Sequence, residues 1–145
     1  MKIYVASSWR NMHQPGVVST LRAIGHEVYD FRNPPEKTAF HWGLVVQNRR
    51  TTSVEDMSTL LSHPMAVAGY QQDKQAMDNA DACVLVMPSG RSACFEAGYM
   101  FGQGKKLFCY LPEQIEPELM LSGAEFITNM GELEDVFEAI AKNGY

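Results

Sequence analysis

A chain of 145 residues, 46% apolar and 20% charged with a formal net charge of −5, has the size and composition of one soluble globular domain. That charge supplies no basic field for gripping a nucleic-acid backbone, so polymeric DNA or RNA is excluded as an expected partner. Cys83, Cys94 and Cys109 are odd in number, sit in apolar segments and lack metal-ligand spacing, which reads as reduced core thiols rather than a disulfide framework.

The chain opens on "MKIYVASSWR", where one lysine leads into four apolar residues, Ile3 to Ala6. This run is too short for a signal-peptide core, and no window approaches a membrane span, so a cytoplasmic protein with no membrane partner is expected. "KIYVA" (2–6) predicts a first strand, and "PGVVSTLRAIG" (15–25), with Pro15 at its start and Gly25 at its end, a first helix. "HEVYDF" (26–31) predicts the second strand. The stretch from 32 to 53, "RNPPEKTAFHWGLVVQNRRTTS", exceeds the usual connection length and is expected to form a wall over a substrate. Two helices follow, "SVEDMSTLLS" (53–62) capped by Ser53 and "GYQQDKQAMDNA" (69–80), leading into the strand "ACVLVM" (82–87). Beyond the turn "PSGRS" a helix is expected to begin near Ser92, and it is followed by strands "KLFCYL" (106–111) and "EFIT" (125–128). The amphipathic "ELEDVFEAIAKNG" (132–144) closes the chain, with Gly144 as its stop signal.

Nearly continuous apolar strands suit a parallel sheet buried on both faces. Their alternation with helices predicts one α/β domain over 1–145, a three-layer doubly wound sandwich on a five-stranded parallel sheet in the flavodoxin-like order 2-1-3-4-5. In such a fold ligands bind outside the carboxyl ends of the strands, here the loops "SSWRN" and "PSGRS".

Glu96 is the residue hardest to explain by packing alone. Its neighbours Phe95, Ala97, Gly98, Tyr99, Met100 and Phe101 predict a helix that is apolar nearly all round, and a carboxylate there is costly unless paired or placed in a cleft. With Ser92 as the cap, the capping-box position falls on Phe95, so that role does not fit Glu96. A place in the first turns of a helix favours the ionised form, the state a carboxylate nucleophile needs; a surface carboxylate answering the helix dipole is the plain alternative. Of the acids in "GYQQDKQAMDNAD", Asp73 is the better candidate for a second carboxylate; Asp78 reads as solvated and Asp81 as a turn residue. Two carboxyl groups flanking a sugar's anomeric carbon, about 5 Å apart, act as nucleophile and general acid in retaining glycosidases.

Around them, Ser7, Ser8 and Arg10 after strand 1, and Ser89, Gly90, Arg91 and Ser92 after strand 3, offer hydroxyls, guanidinium groups and helix-start N–H groups suited to an anion. Ordinary turns with solvated arginines are the alternative. Phe40 and Trp42 present faces on which a base stacks, with lid packing as the other reading. His41 lacks companion ligands at a spacing that would make it a metal ligand.

The pieces "KIYVASSWR", "GHEVYDFRNP" and "DKQAMDNADACVLVMPSGRSACFEAGYMFGQGK" together resemble the nucleoside 2-deoxyribosyltransferase family and its hydrolytic relatives, the 2′-deoxynucleoside 5′-monophosphate N-glycosidases. The resemblance implies a flavodoxin-like fold, homodimers or higher homo-oligomers with sites near subunit contacts, and no metal or organic cofactor. It implies Glu96 as the nucleophile at the anomeric carbon, Tyr4 as the residue orienting it, and Asp73 as the acid that helps protonate the departing base. Ser8, Arg10 and the Ser89/Gly90 loop would lie against a 5′-phosphate. The transferases carry an extra Asp just before the nucleophile helix, where this chain reads "SGRS", and "SSWR" is similar to the phosphate-binding start of the hydrolases. The expected activity is therefore hydrolysis of a (deoxy)nucleoside 5′-monophosphate. Base exchange on a 2′-deoxynucleoside, glycohydrolysis of an NAD-type dinucleotide and non-catalytic nucleotide sensing are the alternatives.

Overall fold

A computed structural model describes residues 1–35, 39–46 and 53–144, apart from the side chain of Glu55. Parts of the long stretch after strand 2, residues 36–38 and 47–52, lie outside the described residues. Five parallel strands, β1 (Lys2–Ala6), β2 (Glu27–Asp30), β3 (Ala82–Val86), β4 (Lys106–Tyr110) and β5 (Glu125–Ile127), form one sheet in the order β2-β1-β3-β4-β5. This is the doubly wound order expected from the alternation of strands and helices. The helices are α1 (Gln14–Ala23), α2 (Val54–Leu61), α3 (Pro64–Asn79), α4 (Arg91–Gly102) and α5 (Met130–Asn143). Among the described residues no helix is long and apolar enough to cross a membrane.

Strand side chains alternate between faces, and the core divides accordingly. Ile3, Val5, Val84, Val86 and Phe108 pack with Leu21 of α1 and Phe137 of α5 on one face. Tyr4, Ala6, Cys83, Leu85 and Cys109 pack with Met77 of α3 and Ala97 and Met100 of α4 on the other. Burial on both sides explains why β1, β3 and β4 read as almost unbroken apolar runs.

Several helix boundaries differ from expectation, each for a local reason. α3 begins at Pro64 rather than 69, because His63 caps it, its Nδ1 accepting the Met65 N–H at 3.2 Å, and Pro64 suits the first helical position. α4 is capped by Gly90, so Ser92 lies inside the helix and is not its cap. α5 starts two residues early on Asn129, which accepts the Glu132 N–H at 3.0 Å while the Glu132 carboxylate accepts the Thr128 N–H at 2.7 Å. Gly25 closes the turn after α1 at φ +99°, a conformation that favours glycine. Cys83 and Cys109 are buried as expected, but Cys94 is exposed, because it lies on the side of α4 turned away from the sheet.

Candidate active site

Tyr4 of β1 and Tyr29 of β2 are register partners in adjacent parallel strands. Both therefore project from the face that packs on α3 and α4, and their rings stack at 5.3 Å with an interplanar angle of 12°. Tyr4, wholly buried, donates its hydroxyl to Glu96 Oε2 at 3.2 Å, and Tyr29 donates to Asp73 Oδ1 at 2.7 Å. Two helices thus each contribute one acid, and each acid meets a tyrosine anchored in the sheet. Of the three acids in the Asp73–Asp81 segment, Asp73 is the one at this place. Asp78 is exposed and bonded to Lys74 and Tyr99, and Asp81 accepts the Lys2 N–H at the start of β1.

The electrostatics differ from the sequence expectation. Glu96 lies beyond the first turn of α4, where the helix dipole has faded. Burial, and then the negative charge of Asp73, push its carboxyl up to about 7, against the Tyr4 hydroxyl, which lowers it. Burial also raises Asp73, with the Tyr29 hydroxyl acting in the opposite sense. Both tyrosine hydroxyls are raised far out of the physiological range, first by burial, so they act as neutral donors. The Asp73 charge opposes ionisation of Glu96, so Glu96 is the member of the pair that keeps its proton up to about neutral pH.

Above the acids opens a cavity of about 680 Å³ with Tyr29, Asp73, Ser92 and Glu96 in its lining, a volume suited to a small-molecule ligand. The described part of the stretch after β2 supplies one wall of this cavity. Phe40 and Trp42 meet edge to face at 5.1 Å, and Trp9 meets Phe31 at 5.3 Å and His41 at 5.9 Å. All five rings line the cavity. Phe40 rests on α3 at Gly69, where an added Cβ would come within 2.7 Å of the Phe40 Cβ. A smaller cavity, about 250 Å³, lies at the amino ends of β1 and β2, where its carboxylate, Glu27, pairs with Lys2.

The anion-facing group divides. Ser7 lines the cavity, but its buried hydroxyl donates to the Val86 carbonyl at 2.9 Å, joining the ends of β1 and β3. Ser92 also lines the cavity, on the first turn of α4, whose N–H groups have no intrahelical acceptor. Ser8 and Gly90 approach each other where the two loops meet, and the Ser89 hydroxyl contacts Met87 Sδ at 3.2 Å and Cys94 Sγ at 3.4 Å. Arg10 and Arg91 are exposed and lie outside the cavity lining.

Sequence reading overlooked three residues that shape this region. Tyr29 holds Asp73. Asn11 ties the two loops, donating to the Pro88 carbonyl at 2.9 Å and accepting the His13 and Gln14 N–H groups. Arg32 donates through Nη2 to the carbonyls of Ser8 and Asn11, both at 2.8 Å. The available signals were the aromatic in strand 2 and an Asn within "SSWRN"; Arg32 gives no sign in sequence of turning back toward the first loop.

No protein-family profile and no curated protein matches this sequence. Solved structures do resemble it. A 2-deoxyribosyltransferase from the psychrotolerant bacterium Bacillus psychrosaccharolyticus is similar with a TM-score of 0.64 and 19% identity, over 93% of this chain and 91% of that one. A conserved protein from Enterococcus faecalis V583 gives 0.56 and 12% over 98% of each chain. A CMP N-glycosidase from Clostridium botulinum gives 0.51 and 12%, over 97% of this chain and 99% of that one. At these identities the likeness establishes a shared architecture: the chain has the doubly wound, flavodoxin-like α/β fold found in a 2-deoxyribosyltransferase and a CMP N-glycosidase.

Proposed function

We propose that the protein is an N-glycosidase that hydrolyses a (deoxy)nucleoside 5′-monophosphate to free base and sugar phosphate. The observation that carries this reading is the pair of tyrosine-held acids, Glu96 and Asp73, in the lining of one nucleoside-sized cavity. In the productive state the pair shares one proton, with Glu96 ionised and Asp73 protonated; in the free protein burial and the Asp73 charge hold the proton on Glu96, so substrate binding must move it to Asp73. A Glu96 oxygen bonds to the anomeric carbon as the C–N bond breaks, and the bonding pair leaves with the base nitrogen. Asp73 transfers its proton to the base and becomes a carboxylate. Asp73 then takes a proton from water as that water attacks the anomeric carbon, releasing the Glu96 carboxylate and restoring the starting protonation state. Tyr4 orients Glu96. Phe40 and Trp42 flank the base, and Ser8, Ser89 and the first turn of α4 face the phosphate.

A second reading is favoured by one observation. The exposed Arg10 and Arg91 lie outside the cavity lining, which suits an unphosphorylated 2′-deoxynucleoside and, with it, base exchange by a deoxyribosyltransferase. A homo-oligomer accords with either reading, because Phe95, 80% exposed, shares an outward face of α4 with Gly98 and Gly102.

Incubation with labelled nucleotides and nucleosides, with and without a second free base, tests both readings. Release of base and sugar phosphate, abolished in Glu96→Ala, is expected. Base exchange without net sugar release overturns hydrolysis, and undiminished turnover in Glu96→Ala overturns the assignment of the nucleophile.

A further inference from the structure

Asp73 sits in the middle of α3, which buries only Ala66, Gly69 and Met77 fully among its described side chains. Light packing of that kind does not by itself hold a carboxyl group in one rotamer, and a general acid displaced by even an ångström loses much of its effect. The Tyr29 hydroxyl provides the missing restraint, at 2.7 Å from Asp73 Oδ1. Tyr29 is in turn held by its strand and by the face of Tyr4, whose own hydroxyl reaches Glu96. The hydroxyls of two stacked rings thereby set the spacing of two acids that no backbone element connects directly.

We propose that Tyr29 is a positioning residue for the general acid: its hydroxyl fixes the Asp73 carboxyl at the cavity lining, and its ring registers that acid against Tyr4 and Glu96. The inference rests on the glycosidase reading above. The groups facing Asp73 are Tyr4 and Tyr29 from the sheet and Glu96 from α4, with His41 of the loop in the same cavity lining. Lys74, next to it on α3, is engaged by Asp78 and by the Tyr99 ring.

Tyr29→Phe keeps the ring stack and deletes the hydroxyl that donates to Asp73 and meets Gln72. The test compares release of a purine from its deoxynucleoside monophosphate with release of the N7-methylated purine, which already carries positive charge and departs neutral without needing a proton. Carbon-13 carboxyl titration of Asp73 supplies a readout that does not depend on turnover. If Tyr29 acts through Asp73, Tyr29→Phe loses roughly ten- to a hundredfold on the unmethylated substrate and far less on the methylated one. Added to Asp73→Asn it costs nothing further. The Asp73 titration midpoint rises, because the donor that lowers it is gone. Equal losses on both substrates, or an Asp73 midpoint unchanged by Tyr29→Phe, overturn the inference. Wild-type protein that releases no base overturns the glycosidase reading instead; the midpoint then decides this inference alone, upheld by a rise and overturned by no change.

Discussion

Replacing Glu96 by Gln removes a negative charge from the cavity while keeping the side chain's shape and its ability to accept the Tyr4 hydroxyl. Burial and the Asp73 charge raise Glu96 from its ordinary 4.5 to about 7 in the folded protein. The native state therefore binds this proton more tightly than the unfolded chain does. The associated stability is fully present below pH 4.5 and is lost as pH rises through 7. A displacement of that size corresponds to about 3 kcal/mol. Glutamine has no proton to lose. Glu96→Gln should thus match the wild type near pH 4 and exceed its stability by about 3 kcal/mol at pH 8.5, or roughly 10 °C in Tm for a domain of this length. Urea unfolding and thermal melts of both proteins between pH 4 and 9 measure the difference. Base release should meanwhile fall by at least about a thousandfold, since an amide does not replace a carboxylate nucleophile. A stability difference independent of pH, or a variant less stable than wild type at pH 8.5, would refute the reasoning, because either result means that the folded protein carries the Glu96 charge without penalty.

Tyr4→Phe deletes the donor that lowers Glu96, so the Glu96 carboxyl should titrate above its wild-type midpoint and activity at pH 7 should fall roughly fivefold to tenfold; carbon-13 carboxyl titration measures the shift, and a Glu96 midpoint that does not rise contradicts the contact. Gly69→Ala places a methyl group 2.7 Å from the Phe40 Cβ and forces the cavity wall outward. KM should rise several-fold and Tm should fall, because an overpacking cost of about 1–3 kcal/mol exceeds the helix preference of alanine over glycine; an unchanged KM would show that Phe40 does not border the substrate. Phe137→Ala opens a cavity between α5 and the sheet, where the ring is fully buried against Phe108 at 4.8 Å and His26 at 5.6 Å. Urea unfolding should show a loss of about 3–5 kcal/mol, and a loss below about 1 kcal/mol would contradict that packing.

The sheet was legible because its signal is redundant. Five apolar runs separated by helical segments have few right-handed arrangements, and continuous rather than alternating hydrophobicity marks burial on both faces. Helix starts were less legible where the cap is an unusual residue. His63 accepts the Met65 N–H through a ring nitrogen and Gly90 caps α4 without a side chain, whereas Ser53, an ordinary capping residue, accepts the Asp56 N–H as its identity predicts. Cys94 shows the limit of composition: its apolar neighbours suggested burial, but on a helix the direction of a side chain follows from rotation about the axis, and the fully buried residues of α4 are Ala93, Ala97 and Met100.

At the site, Glu96 was legible because a charge among apolar neighbours is anomalous in one dimension, and Asp73 because a lone carboxylate calls for a partner. Tyr29 was not, since a tyrosine in a β-strand is ordinary by propensity and its importance arises from register alone. Had β2 paired with β1 one residue out of step, Tyr29 would have pointed to the opposite face and Asp73 would have lost its donor. The observed register pairs Tyr4 with Tyr29 and Val5 with Asp30. Asp30 thus faces the other way, where it accepts from Gln14 Nε2 at 2.7 Å and the Arg32 N–H at 3.0 Å. Those bonds give β2 a polar anchor at its carboxyl end, and the same anchor that fixes the turn toward Arg32 keeps Tyr29 under Asp73. Strand register is in this way part of the geometry on which the proposed chemistry rests, and Asp30→Ala, away from the cavity, should weaken the Tyr29–Asp73 contact, read as a shift of the Asp73 carboxyl titration, before it unfolds the sheet.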